Sequence, residues 1–272
     1  MNLIKRISPV AVALGLIGCA DTSATDSPIT LSFAALANGQ PAACGQTYTL
    51  GSEDAEAEIA DLRFYVHDVR LLTAAGEEVA VALDDDGLWQ NGDVALLDFE
   101  DKNGACTTGT AEMRTIVEGT VPDGDYTGIA FKLGVPEDQN HQDAATATSP
   151  LNLTSMFWNW TGGYKFFRFD LSVGDGGWLV HVGSTGCSGD TATGISCTNG
   201  NRPEVRVTGI TPGQDAIALD LDTLVADLPL DDTNTGCHTK AAEADCATVI
   251  PRFGIALDGG AAPTQTIFGA AP

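Results

Sequence analysis

The sequence is short of positive charge. Thirteen Lys and Arg stand against 37 Asp and Glu in 272 residues, a formal net charge of −24. A polyanion would be repelled and no basic patch offsets the deficit, which excludes a nucleic-acid-binding function. Familiar catalytic signatures are absent too: there is no H-E-x-x-H, G-x-S-x-G, G-x-G-x-x-G or Walker loop. No C-x-x-C pair occurs, which weighs against a cysteine-based metal site, and no C-x-x-C-H, so covalent c-type haem is not expected. Histidine is scarce, at four residues. Beyond the N-terminus no apolar run reaches membrane-spanning length.

What is present begins with an export signal. Lys5 and Arg6 precede the short apolar segment Val10 to Ile17, which ends in Leu16-Ile17-Gly18-Cys19. That pattern of charge, short apolar core and small residue is a signal peptide. Its end is similar to a bacterial lipobox, which implies cleavage after residue 18 and acylation of Cys19; the alternative is plain secretion. Ala20 in place of Asp points to the outer membrane. A polar stretch over 19–28 then reads as a flexible tether. The expected location is the bacterial cell envelope, lipid-anchored, facing the periplasm or the cell surface.

Six further cysteines remain: Cys44, Cys106, Cys187, Cys197, Cys237 and Cys246. In an oxidising compartment an even count reads as disulfides, of which six cysteines allow fifteen pairings. Short loops favour Cys187 with Cys197 and Cys237 with Cys246, leaving Cys44 with Cys106; the other pairings stay open.

The 31 Gly and 12 Pro separate short apolar runs of period 2. Strands are expected over Ile29–Leu36, Asp61–Leu72, Val79–Leu83, Val94–Phe99, Tyr126–Leu133, Met156–Trp160, Tyr164–Val173, Trp178–Val182, Val205–Thr208, Ile217–Leu221 and Val249–Leu257. Short helices are expected over Ser52–Ile59, Leu221–Asp227 and Thr239–Ala244. The fold class is therefore all-β: one domain over 29–272, a Greek-key-like β-sandwich or barrel with long disulfide-stapled loops.

Three histidines stand out in a His-poor chain. His67 sits near the end of a strand on the face opposite Leu62, Phe64 and Val66, His141 lies in the polar loop Pro136 to Pro150, and His181 sits just before Gly183. Each alone reads as a structural residue; together they can hold a soft or borderline metal, since neutral imidazole suits copper and zinc. His238 follows Cys237 in a polar loop. In Ser155-Met156-Phe157-Trp158-Asn159-Trp160 an extended chain puts Met156, Trp158 and Trp160 on one face, as core or as a stacking surface. Unmodified indole is no metal ligand, because its nitrogen only donates. Asp84-Asp85-Asp86-Gly87 is too compact for an EF-hand and reads as a solvated turn or a loose calcium contact.

Taken in order, Phe64-Tyr65-Val66-His67-Asp68-Val69-Arg70, Asp98-Phe99-Glu100-Asp101, Leu133-Gly134-Val135-Pro136, Asn140-His141, Pro150-Leu151-Asn152, Trp158-x-Trp160 with Gly163-Tyr164-Lys165-Phe166, and His181 to Cys187 form a combination. It resembles the MbnP family of metallo-mystery-pair, four-Cys-motif proteins, related in type to the methanotroph copper protein MopE. The resemblance implies a β-rich copper binder that is not itself an enzyme, acting in copper acquisition, storage or delivery. It implies a dihaem cytochrome c peroxidase-like partner of the MbnH type, which converts Trp158 or Trp160 to kynurenine. His67, His141 and His181 become the imidazole ligands for Cu(I) or Cu(II), with Met156 a more remote donor. Each of the three His→Ala changes is then expected to weaken copper binding. His238 has no place in that pattern, and six cysteines exceed the four of the family name. The competing class is a surface β-sandwich that binds glycan or protein through Trp158, Trp160 and Tyr164, with structural calcium in its acidic loops.

Overall fold

A computed structural model describes residues 25–231, 236–257 and 259–272. The signal segment, the lipobox and Cys19 lie outside the described residues. Two large sheets dominate. One runs Phe268–Ala270, Ile217–Asp220, Asp26–Ala37, Ile116–Pro122, Ala82–Leu83, with Ile217–Asp220 parallel to Asp26–Ala37. The other runs Gly176–Val182, Phe167–Val173, Ala55–Thr73, Tyr126–Leu133, Glu204–Thr208. The long strand Ala55–Thr73 also pairs with Thr47–Leu50, Glu78–Ala80 and Val94–Asp98.

The sheets face each other through aromatic side chains. Phe33 of the first sheet meets Phe64 and Phe131 of the second, with ring centroids 6.2 and 5.7 Å apart, and Phe268 meets the same two rings at 5.7 and 5.6 Å. Period-2 alternation makes this possible: in Phe167–Val173 the residues Phe167, Phe169, Leu171 and Val173 turn inward, while Arg168, Asp170 and Ser172 turn away. The fold is thus the expected all-β architecture, as a sandwich of two separate sheets. Disulfides join Cys44 to Cys106, Cys187 to Cys197 and Cys237 to Cys246.

The outer face of the second sheet is also covered. From Asp61 to His67 every residue of the long strand is buried. A smaller apolar cluster of Tyr65, Leu96, Val135, Met156, Tyr164 and Phe166, built partly from loops, packs on that face. It gives the sheet a second floor on which the polar site rests.

Several expectations from the sequence are corrected. Ser52–Ile59 is not a helix: a turn leads into the strand from Ala55, because Ala55-Glu56-Ala57-Glu58-Ile59 alternates and forms a hairpin with Thr47–Leu50. Thr239–Ala244 forms turns, and the helix lies later, at Cys246–Val249. Val249–Leu257 is not a strand, since Pro251 opens a 3-10 turn over Ile250–Phe253 that Gly254 ends at φ 84°. The first strand starts at Asp26, so Asp26, Ser27 and Pro28 of the expected tether pair with Pro122, Val121 and Thr120. The helix expected over Leu221–Asp227 forms as Leu221–Val225, capped by Asp220 Oδ1, which accepts from the Thr223 N–H at 2.9 Å.

Candidate metal centre

The site grows from a row of charges on the outer face of the second sheet. Arg63 pairs across the ladder with Arg168, and Arg168 with His181. Two facing guanidinium groups in a buried place need anions between them. Asp61 and Asp170 supply these: Asp61 accepts from Arg63 Nε at 2.8 Å and lies 3.0 Å from Arg168 Nη1. Asp170 Oδ2 accepts from Arg168 Nε at 2.9 Å and Nη2 at 2.7 Å. The second Asp170 oxygen lies 2.6 Å from His181 Nε2.

This end of the row fixes the chemistry of His181. Burial pulls the imidazole below its ordinary pKa, although Asp170 opposes that pull. Burial alone would raise the Asp170 carboxyl, but the hydrogen bond and charge of His181, together with Arg168, hold it below the usual carboxylate range. An ionised carboxylate only accepts, so Nε2 carries the proton and the lone pair of the neutral ring is on Nδ1. That Nδ1 is buried and, among the described residues, has no hydrogen-bond partner. A carboxylate on one ring nitrogen and a free lone pair on the other is how ligating histidines are held.

A segment outside the regular sheets delivers a second imidazole. Cys237 donates its N–H to the Leu179 carbonyl at 2.8 Å and accepts from the His181 N–H at 2.9 Å, so the chain runs parallel to Val180 as one more bridge. Gly236, at φ 89°, permits the approach, since a Cβ there would collide with the Leu179 carbonyl. Thr239 Oγ1 donates to the His181 carbonyl at 2.7 Å, and the Cys237–Cys246 disulfide fastens the far side. His238 is thereby set beside His181, with ring centroids 5.4 Å apart and planes at 85°. Glu243 Oε2 accepts the His238 N–H and lies 3.3 Å from its Nδ1. Two imidazoles each about 2.0 Å from one ion have centroids about 5–6 Å apart, and the observed spacing fits.

Trp158 closes the group. It lies on a small hairpin, Phe157–Asn159 against Gly163–Tyr164. Phe157 and Tyr164, with centroids 5.0 Å apart, turn into the smaller apolar cluster, so alternation sends Trp158 the other way. Its ring lies against Gly183, where a Cβ would stand 2.8 Å from Cη2, and its centroid is 6.5 Å from that of His181. Asn140 anchors the hairpin by accepting the Tyr164 N–H at 3.1 Å. Trp158, Ser184, Cys187, His238 and Lys240 help line a cavity of about 600 Å³.

The other expected ligands lie elsewhere. His67 lies four residues beyond Arg63 and two strands from His181, about 16 Å away at about 3.3 Å per residue and 4.8 Å per strand. It donates from Nδ1 to the Gly134 carbonyl at 2.8 Å and borders a separate depression with Lys132 and Arg202. His141 has both ring nitrogens engaged: Nδ1 with the Trp160 carbonyl at 2.8 Å, Nε2 with Asn140 Nδ2 at 3.1 Å. It reaches the cavity wall through the disulfide, with Cys197 Sγ 3.3 Å from its Nε2 and Cys187 lining the cavity. The expected common face of Met156, Trp158 and Trp160 does not form. Met156 ends a 3-10 turn and is fully buried, whereas Trp160 is 43% exposed at the hairpin turn.

Geometry bears on two further expectations. Tyr164 is fully buried with its hydroxyl on the Leu151 carbonyl, so it offers no stacking surface. In the acidic turn, Asp86 Oδ1 accepts from the N–H groups of Leu88, Trp89 and Gln90, and Asp85 from those of Gly87 and the Asn91 amide; these carboxylates stabilise the turn itself. The residue that sequence reasoning missed is His238. Its signal was its place beside a disulfide cysteine after Gly236, which ties it to whatever that bridge docks on.

Comparison with known proteins agrees over most of the chain. A family model described as MbnP matches residues 26–239, a span that ends just past His238. Among solved structures, MbnP from Methylosinus trichosporium is similar, at 31% identity and a TM-score of 0.78, over 91% of this chain and 99% of that one. No curated protein matches.

Proposed function

The chain belongs to the MbnP family, and from that premise we propose that it is a copper-binding protein of the cell envelope, with copper as its cargo. His181 and His238 supply imidazole nitrogen. The observation that carries this reading is the buried, unpartnered His181 Nδ1, aligned through Asp170 and next to a second imidazole. Neutral imidazole is a good ligand for copper in either oxidation state met in biology. The acidic surface suits a cationic cargo.

Trp158, rather than Trp160, is the residue a dihaem peroxidase-like partner would convert to kynurenine. Its ring lies beside His181, whereas Trp160 is 43% exposed at the hairpin turn. Opening the pyrrole ring turns a pure donor into an aryl amine and a ketone, which adds ligand atoms where the histidines already stand. The protein itself is not an enzyme in this reading: it receives the modification and carries the metal. Acylation at Cys19 would tether it to the outer membrane.

Mass spectrometry of the protein from its native envelope, with copper quantified on the same sample, tests this. Kynurenine at 158 with near-stoichiometric copper is the expected result. Two intact tryptophans and no copper, in cells that contain the partner, would overturn it.

A further inference from the structure

The contact between His141 and the Cys187–Cys197 disulfide is unused by the reading above. We propose that reduction of this disulfide creates a second metal site, in which the Cys187 and Cys197 thiolates and His141 Nε2 bind Cu(I). The inference does not depend on the His181–His238 pair.

Three observations carry it. The two cysteines face each other in register across the hairpin Thr185–Asp190 and Gly194–Asn199, so the ladder keeps both sulfurs together once the S–S bond opens. His141 is oriented as a ligand: its Nδ1–H goes to the Trp160 carbonyl, so Nε2 carries the lone pair, 3.3 Å from Cys197 Sγ, and a metal ion there would displace the Asn140 amide that donates to it at 3.1 Å. A disulfide sulfur has no proton to give, so that contact is no hydrogen bond in the oxidised protein. The Nε2 atom and both sulfurs lie within 4.8 Å of one another.

Access and donor type give the direction. Cys44, Cys106, Cys237 and Cys246 are all buried, but Cys187 and Cys197 are half-exposed, so a small reductant meets this bridge first. A small dithiol delivers two electrons and two protons to the S–S bond and leaves as its own disulfide. Cu(I) then displaces both thiol protons to solvent and keeps its oxidation state. Two thiolates and one imidazole form a soft donor set that selects Cu(I) over hard cations.

The test uses the full chain carrying His181→Ala and His238→Ala, which removes the first site. Protein is treated with dithiothreitol, freed of it without air, assayed for thiols, and titrated with Cu(I) against bathocuproine disulfonate. One equivalent bound after reduction and none before is expected. The gain should vanish in Cys187→Ser/Cys197→Ser, persist in Cys237→Ser/Cys246→Ser, and weaken at least tenfold in His141→Gln, which leaves the hairpin and its cysteines intact. A bridge that resists the dithiol, no gain on reduction, a gain that survives Cys187→Ser/Cys197→Ser, or indifference to His141→Gln would each overturn the proposal.

Discussion

His67 and His181 are matched in burial, at 5% and 6% exposure, and both imidazoles are pulled below their ordinary pKa chiefly by that burial. They differ in what surrounds them. His67 rests on a backbone carbonyl, with Asp93 raising its pKa and Arg202 and Lys132 lowering it. His181 rests on a carboxylate and stands beside a second imidazole and an indole. Burial favours the neutral form of both rings, but only His181 stands where other donors converge, which is what the proposed copper site requires. Charge alone does not separate them, since each ring has cations and carboxylates nearby; the difference is the carboxylate bonded directly to His181 Nε2 and the donors gathered around that ring.

The largest expected effect tests that contrast directly. His181→Ala should lower copper affinity about 100-fold, close to 3 kcal/mol, while His67→Ala stays within about threefold. A competition titration with a chromophoric chelator reads both. Equal losses would return His67 to the ligand set and break the comparison.

A smaller loss is expected from the group behind the ligand. Asp170→Asn keeps the shape but removes the charge that fixes the His181 tautomer, and such changes cost about 10–100-fold in metal affinity. It also leaves Arg168 with less compensation, so thermal stability falls as well. Nitrogen NMR of the His181 ring separates the two effects. If Nε2 keeps its proton and affinity falls anyway, the loss is structural.

Gly183→Ala comes next. The added methyl would meet both Trp158 Cη2 and the Tyr164 carbonyl, each 2.8 Å away. Overpacking of this kind costs about 1–3 kcal/mol. Tryptophan fluorescence and a melting curve should both shift. If they do not, the indole is free to move and its proximity to His181 has less meaning.

The strands were legible because alternation survives in single residues. Phe167, Phe169 and Leu171 against Arg168 and Asp170 mark the core face by the order of side chains alone. The same rule read His67 onto the opposite face, but could not show that loops cover that face; Met156 and Val135 reach the smaller apolar cluster there from segments with no period of their own. His181 was legible as one of few histidines. His238 was not, because its position depends on a parallel bridge to Val180 formed by a turn segment, and no local pattern encodes such a long-range contact. The helix expected over Ser52–Ile59 failed for a related reason: local helix signals are weak, and a strand partner outweighs them.

The mildest prediction follows the row of charges to its other end. Past Arg63 lie Asp98 and Glu100, both pushed upward mainly by burial, with Asp98 reaching about 7. At the His181 end, partners hold Asp170 below the usual range; at this end, burial outweighs the nearby Arg63. Between pH 4 and 7 the folded protein therefore keeps a proton on Asp98 that the unfolded chain has released, so this group makes stability fall as pH rises through that window. Above pH 7 the cost is complete. Asp98→Asn should thus change stability little at pH 4 and raise it by about 1–2 kcal/mol at pH 8, less than the full shift implies because the surroundings relax. Urea denaturation at the two pH values measures the difference. An equal effect at both would mean that Asp98 stays ionised in the fold, and that the two ends of the row are paired alike.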